Sequence, residues 1–240
     1  MSDFIDKTFS EKLRTRIGNT WASILSCQEG SPTVSDGSPA ASVEDSAKSA
    51  RVVLMKEHGI VERHKILEIG SGGGGLIKTM QQAGFADVTG ITLGQGNIDN
   101  AKNSYGIDLL RMDMHFTSFP NCTFDSVIGF HIFEHTPSAL LAGLEMFRIL
   151  KPSGKLLIEV PGGEASFGYD YNAHHLNAME DWQLKNTLRK CGFINVSVKV
   201  VAETASDGIA NKLLVAYAER GNTNKDISPH LKDVANGKWV

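Results

Sequence analysis

The stretch ILEIGSGGGGL (residues 66–76) decides the fold. Isoleucine, leucine and isoleucine flank a single glutamate and run straight into Gly70, Gly72, Gly73, Gly74 and Gly75; Leu76 then opens a helical pattern. A short apolar run that ends in glycine marks a buried parallel strand. The glycines let the backbone turn tightly and come close to a ligand. The helix start behind them offers free N–H groups and a partial positive charge. Strand, glycine loop and helix together predict an α/β sheet with a ligand beyond the strand's C-terminal end.

Outward from this unit the alternation continues. A helix over about 76–83 stops at Gly84, and DVTGIT (87–92) is a second strand. A helix over 97–104 leads to a third strand near 108–112, and DSVIGF (125–130) reads as a fourth. Pro137 is expected in the first turn of a helix running to Leu150, where its missing N–H costs nothing. The turn KPSG (151–154) then feeds a strand KLLIEV (155–160), and a helix over 179–190 follows an irregular segment. NVSVKVVAE (195–203) and NKLLVAYAE (211–219) have no helix between them and are expected to pair antiparallel. The fold class is therefore α/β, Rossmann-like: a seven-stranded, mostly parallel sheet with helices on both faces and an antiparallel C-terminal hairpin strand.

Before this core lie a helical pattern in the first thirty residues, a Ser/Pro/Gly linker (31–42) and a second amphipathic helix over about 43–58, with Val52, Val53 and Met55 on its apolar face. The expected organisation is a helical lid and linker over 1–50, a core over 51–220 and a polar tail over 221–240. The N-terminal helices suit a lid over the ligand or a homodimer contact equally well.

Composition narrows the function. The 240 residues carry 24 Lys+Arg against 27 Asp+Glu, a net charge of −3, which argues against a protein that coats nucleic acid phosphates. Cys27, Cys122 and Cys191 are far apart with no CxxC pair, so free thiols are expected and neither a disulfide scaffold nor a zinc site. No apolar run reaches membrane-spanning length, and the N-terminus lacks a signal-peptide pattern. A cytoplasmic protein without stable membrane insertion is the expectation. Glycine stands out: 24 residues, nine of them between Gly70 and Gly96.

Loop spacing alone is ambiguous. Gly70, Gly72 and Gly75 satisfy GxGxxG, the dinucleotide fingerprint, while Gly70, Gly72 and Gly74 satisfy GxGxG. Glu68, two residues before the first glycine, makes the pattern E-x-G-x-G-x-G. A dinucleotide site wants an acid at the end of the second strand; Thr92 stands there.

Over residues 50–220 the sequence resembles the class I S-adenosylmethionine-dependent methyltransferases. Besides the loop, Asp113 follows the third strand, Phe124 and Asp125 open the fourth, Glu134–His135 lies just beyond it, and the next helix ends in L-K-P-x-G-K-L. The resemblance implies S-adenosyl-L-methionine as cofactor. It implies that Gly70, Ser71, Gly72 and Gly74 lie against the methionine moiety, with Glu68 supporting the loop or reaching the amino group. Asp113 would accept from the adenine amino group, Met114 would offer a backbone N–H, and His131 would sit near the methionine carboxylate or the sulfonium. The run GITLGQGN (90–97) departs from the family's ribose-binding acid and is similar to the cyclopropane-synthase branch. That likeness implies ribose and adenine contacts from Thr92, Leu93 and Asn97, with Asn97 one methylene shorter than that branch's glutamine.

For the chemistry, an oxygen or nitrogen acceptor calls for a base, and histidine is the usual one at neutral pH. The candidate catalytic residues are Glu134, His135, His174 and His175, each of which could instead anchor or cap a loop. Phe167, Tyr169, Tyr171 and Asp170 lie in the same irregular segment. The leading expectation is methylation of a small molecule, at the oxygen of a sugar or other polar metabolite, with no metal. A cyclopropane-synthase-like lipid enzyme is the enzymatic rival. A nicotinamide-dependent oxidoreductase and a non-catalytic cofactor-binding subunit are the rivals of other classes.

Overall fold

The computed structural model describes residues 41–163, 175–204 and 210–221. The helical pattern of the first thirty residues, Cys27, the segment holding Phe167 to His174 and the polar tail lie outside the described residues.

In chain order the elements are α1 (Ala41–Glu57), β1 (Ile66–Ile69), α2 (Gly75–Gln82), β2 (Val88–Thr92), α3 (Gln95–Tyr105), β3 (Leu110–Arg111), β4 (Phe124–Phe130), a 3-10 turn (Phe133–His135), α4 (Ala139–Ile149), β5 (Leu150–Pro161), α5 (Asp181–Lys190), β6 (Phe193–Thr204) and β7 (Ala210–Arg220). The seven strands lie in the order β3-β2-β1-β4-β5-β7-β6. All neighbours from β3 to β5 are parallel, and β7 runs antiparallel between β5 and β6. This is the sheet expected from the sequence. The connections reverse direction at β1 and β4, the switch point beside which ligands bind in such sheets, and the glycine loop leaves β1 there.

Alternation along the central strands divides the core. Leu67 and Ile69 face a cluster that includes Phe124, Val127, Met146, Leu184 and Leu188, under α4 and α5. Ile66 faces the opposite cluster with Val52, Met55, Met80, Phe85 and Ile128, under α1 and α2. Glu68 therefore points to the α1 side, because successive strand residues take opposite faces. All four residues of β1 are buried, as a central parallel strand covered on both faces requires.

Three local expectations need correction. Pro137 is not in the first turn of α4: that helix starts at Ala139, and Ser138 caps it by accepting from the Leu141 N–H. A cap side chain that satisfies a free donor outcompetes a residue that merely tolerates having none. KPSG is not a separate turn before β5. Leu150 already pairs with Phe124, and the register slips before Ser126 meets Lys155, with Ser153 in the left-handed region at φ 61°. Val53 is 56% exposed while Val52 and Met55 are buried; adjacent helix positions turn about 100° apart and cannot all face the core. Cys191 is buried, and burial pushes its thiol up to about 12, the behaviour of an inert core residue. Cys122 is exposed.

Candidate active site

At the C-terminal ends of the strands the glycine loop supplies the floor. Gly70 has φ +69° and its missing Cβ would collide with the side chain of Ile132, just past β4. Gly72 has φ +49° and faces open space, so bare backbone lines a gap. Ser71 holds the loop down: its N–H donates to Ile91 O at 3.0 Å and its hydroxyl donates to Glu68 O at 3.0 Å. Gly74 is the left-handed N-cap of α2.

Glu68 is 4% exposed, and its Oε2 has no hydrogen-bond partner. Burial pushes its carboxyl up to about 7, opposed by Ser71 and by the nearby Arg51 and Lys48 of α1. Asp113, beyond β3, accepts at Oδ1 from the His115 N–H at 2.8 Å and lies 2.6 Å from His115 Nδ1. Its Oδ2 is buried without a partner. Buried acceptors left empty are costly, so two of them around one glycine loop fit a ligand that brings donors. Thr92 is buried and Leu93 exposed; Met112 N–H donates to Thr92 O and Arg111 Nε to Leu93 O. Asn97 sits in the first turn of α3, and Met114 packs half-buried on the core.

On the other side of the loop, His131 stands past β4 at φ 51°. Its Nε2 is 3.3 Å from Glu159 Oε1 and its Nδ1 is 3.5 Å from Glu134 Oε1. These two carboxylates, Glu134 first, push His131 up to about 9 against the opposing effect of burial. Arg51 closes the group, donating from Nη2 to Glu159 Oε1 at 2.8 Å, with its guanidinium 4.8 Å above the Phe130 ring. Burial alone would raise Glu159, but His131 and Arg51 outweigh it and hold the carboxyl below its usual range.

Glu134 is 2% exposed. The His135 and His175 rings meet edge to face with centroids 5.0 Å apart. Their meeting is built by backbone: Glu134 O accepts from the Leu176 and Asn177 N–H groups at 2.8 and 2.9 Å, and Asn177 Nδ2 donates to Thr136 O. Of the candidate catalytic residues, Glu134, His135 and His175 are thus brought together, and His174 lies outside the described residues.

The strand order, the glycine loop at the switch point and the empty acceptors frame a nucleotide-like cofactor. Residues 67–158 match the family model for a methyltransferase domain. That segment is a methyltransferase domain. Among curated proteins, this chain is similar to the sterol 24-C-methyltransferase of Gibberella zeae, 29% identical over 108 residues, covering 42% of this chain and 28% of that one. The chain spans about a third or less of the length of the curated relatives it matches. Among solved structures, the phosphoethanolamine N-methyltransferase 2 of Haemonchus contortus in complex with S-adenosyl-L-methionine has a TM-score of 0.62 at 16% identity, covering 72% of this chain and 52% of that one. The cyclase SpnF has a TM-score of 0.63 at 15% identity, covering 78% and 86%. At these identities the structural likenesses establish the fold alone.

S-adenosylmethionine is the family's cofactor, and the residues fit it: open space over bare backbone at Gly72, and carboxylate oxygens of Glu68 and Asp113 without hydrogen-bond partners to receive amino groups. Four residues of the site are not singled out by the sequence. His115 links the two halves of the site: with the proton on Nδ1 it donates to Asp113, its Nε2 accepts from the Thr136 hydroxyl, and Thr136 Oγ1 accepts from the Ser138 N–H at 3.1 Å. The D-x-H spacing of 113–115 was its signal. Glu159 could have been noticed as a lone acid in the buried run KLLIEV, since such residues are rarely buried without a partner. Lys48 and Arg51 gave none, because only the docking of α1 brings them to the site.

Proposed function

We propose that this chain transfers the methyl group of S-adenosylmethionine to a small polar molecule, with a hydroxyl oxygen as acceptor and a sugar-like metabolite as the substrate class. The observation that carries this reading is the Glu134–His135–His175 cluster beside His131, a polar, proton-accepting group past β4 and next to the glycine loop. When bound, S-adenosylmethionine would supply an electrophilic methyl, and the acceptor oxygen that takes it would give up its proton. The chain's own task is alignment and proton removal. Glu134, His135 and His175, with His174 beside them in sequence, hold the acceptor and draw off that proton.

On the cofactor side, Gly70, Ser71, Gly72 and Gly74 line the methionine moiety, Glu68 takes its amino group, and His131 stands near its carboxylate. Thr92, Leu93 and Asn97 serve the ribose and adenine, Asp113 and Met114 the adenine edge.

One consequence is a pH signature in cofactor binding. A positive amino group beside Glu68 requires its carboxylate, so below about pH 7 a proton must be expelled on binding, and affinity falls as pH falls. Affinity is expected to increase about eightfold from pH 6 to pH 7.5 by calorimetry, following one ionisation with its midpoint near 7. Glu68→Gln should flatten the profile; a wild-type profile already flat removes Glu68 from the amino-group role.

The reaction itself is tested with methyl-labelled S-adenosylmethionine against two panels, hydroxylated polar metabolites and sterols dispersed in detergent. Label in polar products supports the reading. The second reading, methylation of a lipid, is favoured by the similarity to sterol 24-C-methyltransferases; label confined to sterols would establish it and overturn the first. Among the described residues no helix is long and apolar enough to cross a membrane, so a lipid acceptor would be drawn in without a spanning anchor from this part of the chain.

A further inference from the structure

We infer that Glu134, His135 and His175 form a binding site for one divalent transition-metal ion of the zinc class. Among the described residues they are a group of three whose ligating atoms all lie within 4.8 Å of one another. Two histidines and one carboxylate are a recurrent donor set for zinc in catalytic sites, where the remaining position is left to water or substrate. Around a tetrahedral ion with bonds of about 2.0–2.1 Å, donors stand about 3.3 Å apart. Glu134 Oε1 and His135 Nε2 are already at 3.9 Å, so small side-chain rotations close the set.

The second observation is the state of Glu134. Its side chain is 2% exposed, and neither carboxylate oxygen has a hydrogen-bond partner. A buried carboxylate that accepts no hydrogen bond, with only imidazole nitrogens at 3.5 and 3.9 Å from Oε1, is expensive unless a cation meets it closely. His131 Nδ1 comes no closer than 3.5 Å and shares its ring with Glu159 at 3.3 Å. With a cation on Glu134, His131 keeps its partner in Glu159. The frame is also rigid: the Leu176 and Asn177 N–H groups clasp Glu134 O, so the two ligand-bearing segments, forty residues apart in sequence, are tied together next to the ligand atoms. Such a support is what a preorganised metal site needs.

This deepens the acceptor-side reading above and rests on it for its purpose. With a cation in place, the three residues act on the acceptor through the ion: it binds the hydroxyl oxygen and lowers the pKa of the proton that must leave.

The test uses the full chain, stripped with a chelator and titrated with Zn²⁺ by calorimetry and with Co²⁺ by visible absorption. One ion per chain is expected, with a Kd of about 1 μM or tighter and cobalt bands of a four-coordinate site. Glu134→Gln and His175→Ala should each weaken binding by at least about 100-fold, the upper end of the loss from a mere supporting partner. His64→Ala should not: that histidine bonds Ser126 near the opposite ends of the strands. If Glu134→Gln does not fold, His175→Ala carries the test by itself. Equal affinity in wild type and His175→Ala, or no stoichiometric binding, overturns the site. S-adenosylmethionine binding to the stripped wild type is measured alongside. Cofactor binding without zinc binding sinks the cation site and leaves methyl transfer standing; zinc binding without cofactor binding supports the site and sinks the methyl-transfer reading.

Discussion

Asp113→Asn is expected to weaken S-adenosylmethionine binding by about 10- to 100-fold, the value of one hydrogen bond to a charged acceptor. The reasoning lies in how the two carboxylate oxygens are used. Oδ1 faces two donors of His115, the backbone N–H at 2.8 Å and Nδ1 at 2.6 Å, so the amide oxygen of asparagine takes that position. Its NH₂ then falls where Oδ2 was buried without a partner. An adenine amino group arriving there meets a donor instead of an acceptor. Asp113→Ala is the blunter variant, because it also removes the acceptor shared by the His115 backbone N–H and Nδ1. Calorimetry measures the affinity, and an unchanged melting temperature of the free protein shows that the fold is retained. An affinity equal to wild type would remove Asp113 from the adenine site.

Glu145→Ala is expected to cost about 2–4 kcal/mol of folding stability. Glu145, on α4, is 5% exposed. Its Oε1 accepts from the Thr117 N–H at 2.8 Å and the Thr117 hydroxyl at 2.7 Å. Arg148 donates to both oxygens, from Nε to Oε2 at 2.8 Å and from Nη2 to Oε1 at 2.7 Å. The truncation strands a buried backbone N–H and takes the carboxylate from a largely buried guanidinium that keeps only Asn121 and Thr117, which costs far more than losing a surface pair. The Arg148 side chain keeps 19% exposure, so the loss should stay below that of a fully buried pair. Urea denaturation reads the change. A loss under about 1 kcal/mol would mean that water replaces these bonds. The same glutamate pins the loop that carries Asp113 and Met114, so cofactor affinity should fall with stability.

How far the site could be read from sequence depended on how local its signals were. Glu68 and the glycines form one uninterrupted run, and Glu134–His135 a dipeptide, so chain neighbourhood alone exposed them. His115 sat two residues from Asp113 and was overlooked, although the pairing is local. Arg51 and Lys48 belong to a helix with ordinary amphipathic spacing. Nothing in that spacing tells that Arg51 reaches Glu159, 108 positions away. Pro137 and KPSG misled for the opposite reason: each local preference was real and was overridden by a better local bond or by strand pairing.

By itself, the sequence determined the sheet class, the glycine loop and the antiparallel last pair. These follow from periodicity, glycine's freedom at positive φ and the lack of a crossover helix, all properties of neighbouring residues. Only the tertiary structure decided that Glu134, His135 and His175 share one spot, that His115 joins the Asp113 side to Thr136, and that α1 places two cations near Glu68. The first of these contacts exists because α4 leads the chain away from the 3-10 turn, β5 returns it parallel to β4, and backbone hydrogen bonds to Glu134 O tie the later segment in place. A closure over forty residues is set by packing and hydrogen bonds between distant segments, and no pattern within either segment encodes it.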